Sequence, residues 1–132
     1  MIRSALLATA LMLAPAAARG DEVWSTAIGQ VVYEADIGDV AVLAFPTKSR
    51  GGGKFYFPGL GGNFDDRGTF EGYWIVDGEG DCPATLTGAD GLWSNNWGRA
   101  IITFDAKGFP SDWTLLRGSC FDAPAEEIRG ES

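Results

Sequence analysis

The sequence predicts an all-β protein, built as a small antiparallel β-barrel or β-sandwich of about eight strands with one disulfide bond. Three observations lead to this fold class. Short runs alternate apolar and polar residues, a pattern typical of half-buried strands. Turn-forming residues separate these runs, and the chain contains 19 glycines. Long apolar stripes with the 3.6-residue period of an amphipathic helix are missing.

The first twenty residues have the pattern of a secretory signal peptide. Arg3 supplies a positive charge, an apolar run covers residues 5–13, and Pro15 precedes three alanines. The run is shorter than the roughly 20 apolar residues of a membrane-spanning helix. We therefore predict a signal peptide over residues 1–20 and a mature protein that is periplasmic or secreted and does not insert into a membrane.

The mature chain is small and strongly acidic. Removal of residues 1–20 leaves 112 residues, enough for one domain, with 8 basic and 18 acidic side chains and hence a net charge of −10. Such a charge repels nucleic acid and anionic lipid and accelerates encounter with a cationic protein partner. We expect no cofactor, and the sequence leaves the oligomeric state open.

Cys82 and Cys120 are the only cysteines, and an exported chain meets oxidising conditions. We therefore predict a disulfide between them. The two cysteines are 38 residues apart. Closing a loop of roughly this length stabilises a protein by about 3–4 kcal/mol in the chain-entropy model. We accordingly assign both cysteines a structural role.

The first half of the domain contains the clearest hairpin. Residues 31–37 alternate, with Val31, Tyr33, Ala35 and Ile37 on one face. Gly38-Asp39 suits a type II′ turn, and residues 40–45 form the returning strand. A glycine-rich loop then leads into a short aromatic strand over residues 55–57.

The second half contains three further strand segments, over residues 69–76, 99–104 and 113–120. Residues 105–108 supply a turn in which Gly108 is free to take a positive φ. For the segment around Cys82 we favour a short hairpin of residues 84–86 and 92–93, with one long loop over residues 77–97 as the alternative. We predict that the single β domain spans residues 21–124 and that residues 125–132 form a flexible tail.

The composition excludes several kinds of active site. The chain has no histidine, which removes Ser-His-Asp and Cys-His arrangements and imidazole-based zinc sites. Cysteines joined in a disulfide cannot act as thiolate nucleophiles. Carboxylate pairs remain as candidates for acid–base chemistry, namely Glu71 with an acid from another strand, or Asp65-Asp66.

Asp77, Glu79 and Asp81 occupy alternate positions in a flexible loop. This spacing resembles the start of a calcium-binding loop, but Gly88 stands where such a loop carries its bidentate glutamate. We interpret the segment as a polar turn and predict no metal site.

Trp93, Asn95, Asn96 and Trp97 are the candidate binding residues. Two tryptophans flank two amides in a segment predicted as a loop or short hairpin, and such groups suit sugar stacking or a protein interface. Trp74 and Trp113 lie within predicted strands, where core packing explains them.

The sequence therefore favours an exported, non-enzymatic domain that binds a protein partner or a small ligand. One concrete form is an inhibitor of a cationic cell-wall hydrolase. Two alternatives are an accessory or structural subunit of an envelope complex and a small hydrolase that depends on carboxylates alone.

Overall fold

The structure is a computed structural model that describes residues 22–132. The predicted signal peptide, residues 1–20, lies outside the described residues. Within residues 22–132 no helix is long and apolar enough to cross a membrane. The strands of this part of the chain are β1 (Val23–Thr26), β2 (Gly29–Ile37), β3 (Val40–Phe45), β4 (Gly53–Pro58), β5 (Thr69–Val76), β6 (Leu86–Thr87), β7 (Trp93–Ser94), β8 (Trp97–Phe104), β9 (Trp113–Arg117) and β10 (Glu126–Gly130).

Eight of these strands form one antiparallel sheet in the order β1-β2-β3-β4-β5-β8-β9-β10. Its two edges meet at a bridge between Ser25 and Glu131, where each backbone N–H donates to the other residue's carbonyl at 2.8 and 3.1 Å. The sheet is therefore a nearly closed barrel. The all-β prediction is confirmed, and of the two predicted architectures the barrel is the one formed.

The barrel interior is filled mainly by aromatic and branched side chains. Trp24, Phe55 and Trp113 are fully buried there, and the Trp24 and Trp113 rings pack edge to face at 5.6 Å. Large aromatic residues bury much apolar area per side chain, so a domain of this size can fill a core with few of them. The remaining buried members are Val31, Tyr33, Ala41, Leu43, Phe45, Phe57, Leu60, Trp74, Ala100, Ile102, Phe104, Leu115 and Ile128.

One end of the barrel is sealed by a buried ion pair. The Arg67 guanidinium donates two hydrogen bonds to the Glu22 carboxylate, at 2.8 and 3.1 Å, and a third to Ser111 Oγ at 2.9 Å. The same guanidinium lies 4.9 Å from the ring centre of Phe104. Both charges are almost completely buried, and such charges persist in a core only when they are paired in this way. We call this the closed end.

The predicted hairpin of β2 and β3 is present, with Ile37 opposite Val40 and Gly38 at positive φ. The predicted face of β2 is only partly right. A register shift lies between Tyr33 and Ala35, which pair with Leu43 and Val42 respectively. Neighbouring residues of β3 point to opposite faces, so the bulge places Ala35 outside the barrel while Tyr33 stays inside.

The hairpin of β8 and β9 is also confirmed, although β9 ends at Arg117 rather than at residue 120. The strand over residues 69–76 is present with the predicted bounds. The connection from β8 to β9 is longer than the predicted turn and spans residues 105–112. Gly108 does not have the positive φ that the predicted turn allows.

The prediction of a flexible tail over residues 125–132 is wrong. Glu126–Gly130 is strand β10, which pairs with β9 throughout its length. Ile128 is 2% exposed inside the barrel. This one apolar residue, together with the open edge of β9, gives the segment both a core contact and a hydrogen-bonding partner.

Residues 77–96 leave the barrel and cover part of its outer surface. The predicted short hairpin is present in this segment, because β6 and β7 pair with Thr87 opposite Trp93. The predicted disulfide closes the segment, with a Cα–Cα distance of 5.4 Å between Cys82 and Cys120. Beneath the hairpin lies a second buried cluster, which contains Val42, Tyr56, Ile75, Cys82 and Trp97.

Candidate functional site

The Trp93 groove is a cavity of about 440 Å³ between the acidic loop and the β6–β7 hairpin. It brings together two segments that the sequence singled out separately, the acidic loop beginning at Asp77 and the tryptophan–amide segment. The residues that line it are Asp77, Gly78, Glu79, Thr85, Gly91, Leu92, Trp93, Ser94 and Asn95.

Trp93 is exposed because of its position in β7. Neighbouring residues of a strand face opposite sides, and here Ser94 faces the barrel while Trp93 faces solvent. Ser94 Oγ donates a 2.7 Å hydrogen bond to the carbonyl of Val76 at the end of β5, which fixes the orientation of β7. The Trp93 side chain is consequently 66% exposed, an unusual state for the largest apolar side chain.

Asn95 holds the acidic loop against the hairpin. Its side-chain oxygen accepts a hydrogen bond from the Gly80 N–H at 2.8 Å, and its side-chain nitrogen donates to the Gly80 carbonyl at 3.0 Å. A Cβ at Gly80 would lie only 2.4 Å from the Asn96 Cα, so the close approach requires glycine there. Asn95 thus positions the groove wall.

The groove is electrostatically negative. Asp77 and Glu79 have no side-chain hydrogen bond or ion pair with any residue from 22 to 132, and the described lining contains no lysine or arginine. The Asp77 carboxylate lies close to Gly51 on one side of the groove. Two acidic residues lining the same groove as an exposed indole favour a cation, through charge and through the negative face of the ring.

The hairpin is anchored on the barrel through Asp90. Its carboxylate accepts a 2.7 Å hydrogen bond from the Tyr56 hydroxyl and a 3.1 Å bond from the Leu92 N–H, and Lys54 lies 3.5 Å away. Burial raises the pKa of the Asp90 carboxyl, but the hydrogen bonds and Lys54 lower it more, so the net pKa is below its usual value. Burial and the Asp90 contact raise the pKa of Tyr56.

The structure separates the four predicted binding residues. Trp93 and Asn95 line the groove, whereas Asn96 lines a different cavity at an end of the barrel. Trp97 is 6% exposed, and its indole N–H donates to the Ala84 carbonyl at 2.8 Å under the hairpin. The expectation that Trp97 offers an exposed face is therefore corrected, because the disulfide-linked segment packs over it.

The acidic loop does not gather its carboxylates. Across the described residues, no group of three or more histidine, cysteine, aspartate or glutamate side chains is close enough to hold a metal ion. Asp77 and Glu79 line the groove, and Asp81 does not.

The candidate catalytic carboxylates lie away from the groove. Glu71 is exposed on β5 opposite Ile101, and Asp66 is exposed in the β4–β5 connection, 3.8 Å from Lys107. Its neighbour Asp65 lines a smaller cavity of about 240 Å³ near the closed end.

A third cavity, of about 470 Å³, opens at the end of the barrel opposite the ion pair, and we call it the barrel mouth. Phe45, Trp74 and Val76 form its apolar wall, and Arg117 and Glu126 are its charged residues. The Arg117 guanidinium lies 5.6 Å from the Phe45 ring centre and 5.5 Å from that of Trp74. Its Nε donates to Glu126 at 2.7 Å.

No sequence pattern points to Arg117, and Trp74 lies in a predicted strand where core packing explains it. These two residues and Phe45 come from three strands, and no local pattern relates them. The sequence indicates only a calcium-like spacing or a polar turn for Asp77 and Glu79, because their place in the groove with Trp93 depends on the Asn95–Gly80 contact. Comparison with protein-family profiles, curated protein sequences and solved structures finds no match to this chain.

Proposed function

We propose that this protein is an exported, non-catalytic binding module that captures a cationic group of a protein partner in the Trp93 groove. A basic cell-wall hydrolase, which presents lysine and arginine side chains, is the partner class with the best complementarity. The disulfide is compatible with export, since such bonds persist in oxidising compartments.

One observation carries the proposal: a tryptophan that is 66% exposed shares a groove with two carboxylates that have no partner within the described chain. A lysine or arginine entering the groove would pair with Asp77 or Glu79 and lie over the indole face. Cation–π contacts contribute roughly 0.5–2 kcal/mol, with the larger values in desolvated sites. Tryptophan is also among the residues that dominate protein interfaces.

Contacts within the protein hold both walls of the groove. The hairpin that carries Trp93 is held by Asp90, Ser94 and the disulfide, and the acidic loop is held by Asn95. Because these contacts exist before any partner arrives, little conformational entropy is lost on binding. The net charge of −10 over residues 21–132 would also steer a basic partner toward the protein.

The test is direct binding of the purified protein to a basic lysozyme, measured by calorimetry at low and at high salt. We expect Trp93→Ala and the pair Asp77→Asn/Glu79→Gln each to weaken binding about tenfold or more, and added salt to weaken wild-type binding.

Phe121→Ala is the matched control, because Phe121 is 70% exposed but does not line the groove. Its affinity should equal that of the wild type. Unchanged binding by Trp93→Ala would show that the partner does not bind in the Trp93 groove. If the wild type does not bind lysozyme, proteins of an envelope extract are captured on the immobilised wild type and on Trp93→Ala. Capture of another basic hydrolase by the wild type alone would support the groove. A stable assembly retained equally by both would favour the accessory-subunit alternative.

A further inference from the structure

The barrel mouth is a second cavity, separate from the Trp93 groove. Its lining includes Ile28, Phe45, Trp74, Val76 and Arg117, and it shares no lining residue with the groove. Its volume of about 470 Å³ falls within the range of pockets that hold small molecules, about 300–1,000 Å³. The mouths of β-barrels are a recurrent place for such sites.

The apolar wall continues the barrel core. Phe45 and Trp74 are 5% and 9% exposed, and Ile28 and Val76 pack against the same cluster. Trp74 is held in place because its indole N–H donates to the Gly118 carbonyl at 2.8 Å, which leaves the ring as an apolar surface. A ligand that packs against this wall would therefore bury an apolar or aromatic group.

Arg117 provides a fixed positive charge at the same cavity. Its side chain is 19% exposed and its guanidinium lies over the Phe45 and Trp74 rings. Stacking uses the faces of the guanidinium and leaves the N–H groups at its edge free to donate. Apart from the Nε bond to Glu126, those groups have no hydrogen-bond partner within residues 22–132.

Glu126 is a replaceable partner. Its side chain is 57% exposed, whereas that of Arg117 is mostly covered. An ion pair with one solvated partner contributes little net stability, so another anion can take its place on Arg117.

We propose that the barrel mouth binds a small organic carboxylate with an aromatic or branched apolar body. The body packs on the wall formed by Phe45, Trp74 and Val76, and the carboxylate accepts hydrogen bonds from Arg117 in place of Glu126. A planar carboxylate matches the donor fork of a guanidinium, which makes this the ligand chemistry that the cavity complements best.

The test uses three probes of similar size, 2-naphthoate, its neutral amide and 2-naphthylmethylammonium, titrated into the ¹⁵N-labelled protein expressed from the full-length sequence. We expect saturable shifts of the Trp74 indole and of the Val76 and Gly118 amides with 2-naphthoate. The amide should bind about tenfold more weakly or worse, and the ammonium probe should not shift these signals.

Two substitutions change the affinity for 2-naphthoate in opposite directions. Arg117→Gln should weaken it about tenfold, and Glu126→Gln should strengthen it because the competing charge is removed. Lys107→Gln, an 81% exposed site in the β8–β9 connection that does not line the mouth, is the control and should leave the affinity unchanged. Equal binding of 2-naphthoate and its amide, shifts outside the mouth, or no gain from Glu126→Gln would overturn the proposal. The Glu126 variant keeps the test decisive if Arg117→Gln does not fold.

Discussion

At the scale of single residues, the two central tryptophans differ in one hydrogen bond. Trp24 and Trp113 are both fully buried and pack against each other. The Trp24 indole N–H donates to the Ser111 carbonyl at 2.8 Å, whereas the Trp113 N–H has no hydrogen-bond acceptor within the described chain. A buried donor without a partner costs free energy that a satisfied one does not.

This difference predicts unequal effects of the same substitution. Trp24→Phe and Trp113→Phe remove the same volume, but only Trp24→Phe leaves the Ser111 carbonyl without its donor. We expect the free energy of unfolding to fall by about 1–2 kcal/mol more for Trp24→Phe, measured by urea denaturation. Equal losses would show that the Trp113 N–H makes a contact of similar value, such as one with the Trp24 ring.

At the scale of elements, the β6–β7 hairpin depends on its contacts with β4. Gly88 lies directly on the Tyr56 ring, where a Cβ would come within 2.3 Å of Tyr56 Cζ. Asp90 accepts the hydrogen bond of the Tyr56 hydroxyl, so one tyrosine both supports the hairpin turn and anchors its carboxylate. The position of Trp93 follows from this docking.

The Asp90 anchor predicts a specific pH dependence. Folding lowers the pKa of Asp90, so the stability it contributes is complete above its unfolded pKa, about 3.9, and is lost as the pH falls through the folded value. The difference in unfolding free energy between wild type and Asp90→Asn should therefore be largest near neutral pH and shrink below about pH 4. Urea denaturation at pH 7 and at pH 3 measures it, and a difference independent of pH would contradict the assignment.

At the scale of the whole molecule, the barrel depends on its last strand. Strand β10 covers the edge of β9 and brings Glu131 to Ser25, so that β1 is bridged as well. Uncovered strand edges promote aggregation, which gives the closing strand a role beyond its own burial. Ile128 is its inward-facing anchor.

Ile128→Ala tests barrel closure. Ile128 is 2% exposed, and we expect the substitution to lower the free energy of unfolding by about 2–5 kcal/mol. Ile37→Ala is the matched control, because Ile37 is 39% exposed at the end of β2 and should cost less than about 1 kcal/mol. A similar small loss for both variants would mean that the segment frays, as the sequence alone had predicted.

The whole molecule also has two unlike ends. Arg67 and Glu22 seal one with a buried ion pair, and the other opens into the mouth beside Arg117. The two arginines therefore have different environments. Arg67 is buried and forms two hydrogen bonds with the Glu22 carboxylate. Arg117 uses only its Nε, toward Glu126, and its other N–H groups have no acceptor within the described residues. Neither environment can be inferred from the sequence, since their partners are distant along the chain.

Much of the strand pattern could be predicted from local signals. Residues 69–76 were predicted with the observed bounds, and the hairpin around Gly38 was placed correctly. The bulge between Tyr33 and Ala35 was not foreseen, because it depends on pairing with β3. Of the four residues predicted to bind, Trp93 and Asn95 line the groove, whereas Asn96 lines the barrel mouth and Trp97 is buried.

The sequence by itself determined the all-β class, the main strand positions and the pairing of the only two cysteines. The alternation of apolar and polar residues, the turn-forming residues and the number of cysteines are local or compositional properties, so they can be recognised before the fold is known. The tertiary structure alone decided that the sheet closes into a barrel, that residues 126–130 form its last strand, and that Trp93 is exposed while Trp97 is buried. These outcomes depend on which distant segments pack together, and burial is a property of that packing rather than of the residue.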